Sequence, residues 1–457
     1  MQAVQSVTVQ TFINNRKVSG FQIRTLILCF LILVLDGYDT VVLGLIAPAL
    51  KNHFGASAAQ LAPVFGAGFF GLAIGSFIFG PLADRFGRKI TLIHAVLIFG
   101  VLSIISSWST SIGMLIALRF LIGLGLGGAM PNVFTVAVEY CPDRLRSTLV
   151  APLGCGISAG GAVCGLVASH MIGAFGWQSM LILGGALPLL LAVILAIWLP
   201  ESMSYLVTRN RHLEAQAIMR RIAPDLSSAE IQLTCDETPM PGFSVTQLLK
   251  RGLRGGTLLL WVTGFMALLS IYFLVNWLTL LIQQNGVPFS QASLMTAIYL
   301  TGHALGSILL GFLMDRTNPY HAVAGAFLFA AVGLTSFGHL TGLPALAHVV
   351  LFVTGVGTGG ALTGITILSA VFYPTEARAT GVAWTLGMGR VGGIVGSMIG
   401  GLMLATHWPS AVTFAVVSIP FVVAAISAYW LVVYRGRSPL PSESHFLDVV
   451  VGQGNSR

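Results

Sequence analysis

The chain has 457 residues, of which 55% are hydrophobic and only 8% charged, and its mean hydropathy is +0.88. Soluble proteins usually carry about 25% charged residues, so this composition excludes a water-soluble globular domain and indicates a chain built to meet lipid. The formal charge of +8 sits in short segments between apolar runs, which argues against nucleic acid as a partner.

The first twenty residues, MQAVQSVTVQTFINNRKVSG, are polar, and the run behind them lacks the small-residue cleavage site of a secretory leader. A bilayer core takes about 20 apolar residues per helix. Windows of that kind fall near 23–47, 61–82, 89–108, 111–135, 147–170, 177–199, 257–282, 292–313, 321–340, 345–370, 379–403 and 409–434, predicting twelve spans. Pro48, Pro63, Pro131, Pro152 and Pro188 fall in or beside them, a feature membrane helices tolerate.

Basic residues fix an orientation. Arg85, Arg88 and Lys89 follow the second span, and Arg144 and Arg146 the fourth. The loop after the sixth carries Arg209, Arg211, Arg220, Arg221, Lys250, Arg251 and Arg254. Arg316, Arg378, Arg435 and Arg437 follow the eighth, tenth and twelfth, whereas the opposite side has essentially Lys51. Both termini and the central loop are therefore expected in the cytoplasm. That loop is the one sizeable polar stretch, and ESMSYLVTRNRHLEAQAIMRRI within it reads as an amphipathic helix near the membrane surface. The expected division is 1–200 for an N-terminal six-helix bundle, 201–256 for the linker, and 257–457 for a C-terminal bundle with a cytoplasmic tail. Four of the five cysteines, Cys29, Cys141, Cys155 and Cys164, lie in or beside apolar runs without ligand spacing, so neither a disulfide framework nor a metal or other cofactor is expected.

The two halves repeat. GLAIGSFIFGPLADR (Gly71 to Arg85) matches GHALGSILLGFLMDR (Gly302 to Arg316) at an offset of 231, and GLGLGGA (Gly123) matches GVGTGGA (Gly355) at 232. PDRLRST (Pro142) matches PTEARAT (Pro374) at that same 232. Such repeats build alternating access around a central site in secondary transporters. The glycines at Gly71, Gly75, Gly80, Gly302, Gly306 and Gly311 are expected along the seam where the halves move.

At these residues the chain resembles the major facilitator superfamily, through GPLADRFGRK (Gly80 to Lys89) and its weaker copy GFLMDRTNPY (Gly311 to Tyr320). With DGYDTVVLGLIAPAL (Asp36 to Leu50), the RFLIGLGLGGAMPN run leading to Glu139, and PTEARATG (Pro374 to Gly381), it is similar to the aromatic acid:proton symporter family. The resemblance implies an all-α polytopic membrane protein of the major facilitator fold, with twelve helices in two pseudo-symmetric bundles. It further implies a bacterial inner-membrane location, function as a monomer, and import of benzoate-like carboxylates for catabolism. The family's acidic motif falls on Asp36 and Asp39, its fourth-span basic residue on Arg119, and its following acid on Glu139.

The residues themselves support a transport reading. A rise of about 1.5 Å per residue lifts Asp36 about 18 Å above Arg24 and sets Arg119 about 14 Å below the outer end of its span. An acid–arginine pair across the first and fourth spans is geometrically reasonable, and it leaves one acid of Asp36 and Asp39 free to exchange a proton. The sequence does not say which. Glu139 belongs to proton release or to a gate with Arg144 and Arg146. Arg390, mid-way through the eleventh span with no acid in the second-half spans, calls for an anion, and a carboxylate fits its fork. His303 is a candidate to donate to substrate or carry a proton, with Tyr299 one turn away. Tyr272, Asn276 and Trp384 are candidates for contacts with an aromatic ring or its hydroxyl. Asp84, Arg85, Arg88, Lys89 and Arg146, with Asp315, Arg316 and Arg378, form the expected gate, in which Asp84 accepts from a neighbouring helix end or from Arg146.

The resulting expectation is proton-coupled uptake of a small aromatic carboxylate (a benzoate, hydroxybenzoate, chloro- or phenoxy-acid). The alternatives are uptake of another organic anion, such as a sugar acid or a dicarboxylate clamped by both Arg390 and Arg119, and a non-transporting membrane receptor or enzyme. No catalytic cluster or soluble domain speaks for the last two. GLGLGG at Gly123 lies inside an apolar span with no preceding strand, so it is not a phosphate loop.

Overall fold

A computed structural model describes residues 5–223, 231–234, 245–250, 252–340, 343–406 and 408–437. Part of the linker and the tail beyond 437 lie outside the described residues. Among those described, twelve helices are long and apolar enough to cross a bilayer. They are α1 (Gly20–Phe54), α2 (Ala58–Phe86), α3 (Arg88–Ser106), α4 (Ile112–Glu139), α5 (Arg146–Phe175) and α6 (Gln178–Trp198). The second set comprises α7 (Arg254–Gln284), α8 (Phe289–Arg316), α9 (Pro319–Phe337), α10 (Pro344–Phe372), α11 (Thr375–Ala405) and α12 (Ser410–Arg437).

The helix limits follow local chemistry. Ser19 with Gln22, and Ser57 with Gln60, form capping boxes that open α1 and α2, and Ser111 caps α4. Gly55 closes α1 in the left-handed region at φ 60°, where a side chain would be strained. Several helices outrun their apolar windows because polar ends such as Arg254 and Asp315 continue the helix past the hydrocarbon.

Within each half, helices close on one another where glycine removes a side chain. A Cβ on Gly71 or Gly75 would strike the Phe120 or Leu124 carbonyl of α4, and one on Gly123 or Gly127 would strike Gly68 or Leu72 of α2. The second half repeats the arrangement, with Gly302 and Gly306 against Phe352 and Val356, and Gly355 and Gly359 against Tyr299 and His303. These repeated glycines therefore cement α2 to α4 and α8 to α10 inside each half, rather than lining the seam between halves as the sequence suggested. A Cβ on Gly80 or Gly311 would meet nothing within 4 Å.

The seam uses other residues. Gly44 of α1 meets the α7 backbone at Val275 and Asn276, Gly161 and Gly165 of α5 meet Leu300 and Ala297 of α8, and Gly401 of α11 meets Ala58 and Ala62 of α2. All lie toward the membrane face opposite the chain termini. Phe65 packs its ring edge-on against Trp277 at 4.8 Å, closing the halves on that face.

The linker stretch expected to be one amphipathic helix forms two, Met203–Thr208 and His212–Ile222. The chain breaks at Asn210, which takes a positive φ of 57°. Ala215, Ile218, Met219 and Ile222 pack into the N-terminal half's core with Leu26, Leu28 and Leu199, so the apolar face rests on protein. A short N-terminal helix, Val9–Asn14, joins the same cluster. It grips the loop after α4 through Gln10 on Cys141 O at 3.2 Å and Asn14 Oδ1 on the Asp143 N–H at 2.7 Å. Burial pushes the Cys141 thiol up to about 11, so it stays protonated.

Candidate functional site

Polar side chains gather half-way along the spans. Tyr38 donates to Met180 O of α6 at 3.0 Å, and Gly37 lets α1 close on the Ile157 carbonyl of α5. These two contacts set the rotation of α1. They carry Asp39 to Arg119 of α4, with Nη1 to Oδ1 at 3.0 Å and the arginine only 1% exposed. The acid that holds the arginine is thus Asp39. Asp36, one turn lower and also buried, has no hydrogen-bond partner among the described residues. It lies within electrostatic reach of Asp39 and of Arg390 in the other half.

Arg390 comes from α11 and crosses the seam to donate to Ser76 Oγ of α2 at 3.0 Å. No carboxylate pairs with it among the described residues. Tyr272 of α7 stands within electrostatic reach of both Arg390 and Asp36, and its ring meets Phe69 of α2 at 4.3 Å. A Cβ on Gly393 would run into that tyrosine ring, so the glycine makes the space it occupies. Asp36, Ser76, Phe69, Tyr272 and Arg390 therefore form one cluster drawn from both halves: a cation, a carboxylate and two aromatic rings. With the halves closed above it at Phe65 and Trp277, this cluster can hold an aromatic anion.

The structure brings other expected residues elsewhere. Asn276 spends both amide hydrogens within its own half, on Tyr272 O and Ser397 Oγ, each at 2.9 Å. Tyr299 is fully enclosed and accepts from Thr358 at 3.1 Å, so it braces α8 against α10. Trp384 pairs its ring with Trp261 at 5.9 Å. His303 sits in the seam, its Nδ1 2.8 Å from Ser158 Oγ of α5, and its Nε2 is buried without a partner.

At the face bearing the termini, Arg88 lies 4.0 Å from Asp84 and 3.8 Å from Glu139. Arg146 pairs with Asp143 at 2.6 Å, and so the expected contacts of Arg146 with Asp84 and Glu139 are not formed. The reason is local: Asp143 is one turn away on the same loop and needs no closure to be reached. Asp84, Arg85, Asp315, Arg316 and Arg378 are exposed, consistent with halves parted on this face. Lys89 and Arg88 instead offer their backbone N–H groups to Glu201, at 3.0 and 2.7 Å, and Glu201 also takes the Ser202 N–H. Glu201 thereby caps α3, at the positive end of its dipole.

Four residues that the sequence reading passed over belong here: Ser76, Phe69, Ser158 and Glu201. Glu201 had a signal, being a lone acid directly behind the sixth span on the basic side. The others are ordinary members of apolar runs, and nothing in one sequence distinguishes them.

The chain matches the family model for sugar (and other) transporters over residues 25–288 and that of the major facilitator superfamily over 260–448. It is 42% identical to a 4-hydroxybenzoate transporter of Pseudomonas aeruginosa, covering 89% of this chain and 91% of that one. It is 37% identical to a gallate transporter of Pseudomonas putida, covering 92% and 94%. Among solved structures it is similar to the inward open conformation of the xylose transporter from E. coli, at TM-score 0.70 and 18% identity, over 89% of this chain and 95% of that one. The last likeness speaks for the fold alone.

Proposed function

The chain belongs to the aromatic acid:proton symporters of the major facilitator superfamily, and from that premise we propose that it imports a small hydroxylated benzoate together with a proton. The observation that carries the reading is the cluster around Arg390. It sets an arginine with no carboxylate in ion-pair contact among the described residues beside two aromatic rings and a nearby buried acid, which is the chemistry a benzoate-type anion requires.

The charges suggest how coupling works. Asp39 and Arg119 neutralise each other, leaving Asp36 and Arg390 as a looser pair across the seam. A substrate carboxylate arriving at Arg390 displaces that partnership and leaves Asp36 as an unpaired buried charge. Protonation of Asp36 removes the cost. One proton thus accompanies one anion, and the loaded site carries the same net charge as the empty one. Release to the cytoplasm returns Asp36 to Arg390 and the proton to water. In this reading the termini are cytoplasmic, and the conformation, closed at Phe65 and Trp277, faces inward.

Competing anions fit less well. A dicarboxylate wants a second free cation, and Arg119 is already held by Asp39 at 3.0 Å. A sugar acid would leave Phe69 and Tyr272 without a ring to stack on. The experiment is a binding and uptake panel of 4-hydroxybenzoate, gallate, benzoate, gluconate and succinate on the purified protein. The proposal expects competition within the aromatic acids only; preferential uptake of gluconate or succinate would overturn it.

A further inference from the structure

We propose that the cleft between the start of α1, the end of α6 and the second linker helix is a binding site for the headgroup of an anionic glycerophospholipid. The cleft encloses about 480 Å³ and is lined by Gly20, Phe21, Arg24, Ile197, Trp198 and Arg221. It lies on the outer wall of the N-terminal half, remote from Arg390.

Two arginines from different parts of the chain line it. Arg24 stacks over the Phe21 ring at 5.3 Å, which fixes its direction, and its Nε is buried without a hydrogen-bond partner. Arg221 ends the second linker helix. No carboxylate forms an ion pair with either among the described residues. Gly20 and Phe21 add the positive end of the 35-residue α1. The cleft therefore offers two fork-shaped cationic donors, one on the half-buried Arg24 and one on the exposed Arg221, suited to a phosphodiester.

The wall beside it selects a lipid over a free anion. Ile23, Ile27, Ile197 and Trp198 are 48%, 52%, 67% and 51% exposed, and they run from the cleft along the outer faces of α1 and α6. Trp198, at the end of its span, is placed where indoles mark the headgroup layer. A ligand with an anionic head and hydrocarbon tails uses both surfaces, while a soluble phosphate uses only the first. Basic pockets between membrane helices bind acidic headgroups on the same physical grounds. Bound there, the lipid would staple the linker helix to α1 and α6.

The test is native mass spectrometry of the full-length protein in detergent, with phosphatidylglycerol, phosphatidylcholine or inorganic phosphate added. Phosphatidylglycerol is expected to be retained and phosphatidylcholine lost. The double variant Arg24→Gln, Arg221→Gln should bind phosphatidylglycerol about tenfold to thirtyfold more weakly, as expected for two basic groups near a membrane surface. Its affinity for 4-hydroxybenzoate, read on the same sample, should match the parent and report an intact fold. Equal retention of both lipids, undiminished retention by the double variant, or phosphate displacing phosphatidylglycerol at equal concentration would each overturn the assignment.

Discussion

Replacing Asp39 by Asn should destabilise the protein far more than replacing Asp36 by Asn, although the two acids are three residues apart on one helix. Asp39 stands 3.0 Å from Arg119, with the two side chains 7% and 1% exposed. At that separation and an effective dielectric of about 20, the Coulomb attraction is about 5 kcal/mol, set against a desolvation cost of several kcal/mol per ion. The pair therefore adds little net stability. Breaking it is another matter, because Asp39→Asn leaves a buried guanidinium without its counter-charge, which costs about 3–5 kcal/mol. Asp36→Asn removes an acid that holds no hydrogen bond among the described residues, and its cost should stay below about 1 kcal/mol. The double variant Asp39→Asn, Arg119→Gln removes both charges and should recover most of the loss. Unfolding of the parent, Asp39→Asn, Arg119→Gln and the double variant in the same detergent gives a double-mutant cycle, with Asp36→Asn measured beside it. Equal losses for Asp36→Asn and Asp39→Asn, or a double variant no better than the singles, would refute the assignment of Asp39 as the arginine's partner.

Arg390→Gln should weaken 4-hydroxybenzoate binding by about 2–3 kcal/mol, roughly thirty- to 150-fold, since a charge-assisted bidentate contact is lost; calorimetry showing parental affinity would contradict its role. Gly123→Ala should unfold the N-terminal half readily, because the new Cβ meets the Gly68 backbone, which cannot yield; a melting temperature equal to the parent's would be the contrary result. Gly165→Ala instead pushes on Ala297 across the seam, so it should leave folding intact and increase labelling of cysteines introduced on the outer face; unaltered labelling would speak against this seam. Glu201→Ala removes the acceptor of two N–H groups at the start of α3 and of the Ser202 N–H, and should cost about 1–2 kcal/mol of stability, whereas no loss would show that water replaces it.

The spans and the doubling of the chain were legible because lipid imposes a crude and repeated demand: about 20 apolar residues, then charge. Depth was legible too. Asp36, Arg119 and Arg390 could be set at one level by counting residues, and the structure brings Asp39, Arg119, Asp36 and Arg390 into one polar layer. Azimuth was not. Three residues turn a helix by about 300°, leaving Asp36 and Asp39 about 60° apart with about 4.5 Å of rise, a difference too small for counting to resolve. It took Tyr38 on Met180 and Gly37 on Ile157 to rotate Asp39 toward Arg119. The glycine pattern misled for a related reason: close approach needs small residues equally in a fixed contact and in a sliding one. Which helix stands opposite Gly71 or Gly302 is a tertiary fact. The break at Asn210 was hidden because the segment's apolar positions suit a docked helix pair as well as a single helix.

The central claim is that Asp36 carries the proton while Asp39 stays with Arg119. Proteoliposomes with an acidic exterior test it most directly, with labelled 4-hydroxybenzoate outside and either no substrate or excess unlabelled substrate inside. For Asp36→Asn the account predicts exchange of labelled for unlabelled substrate at a rate near the parent's, with accumulation driven by the pH gradient abolished. Accumulation by that variant to the parent's level would contradict it.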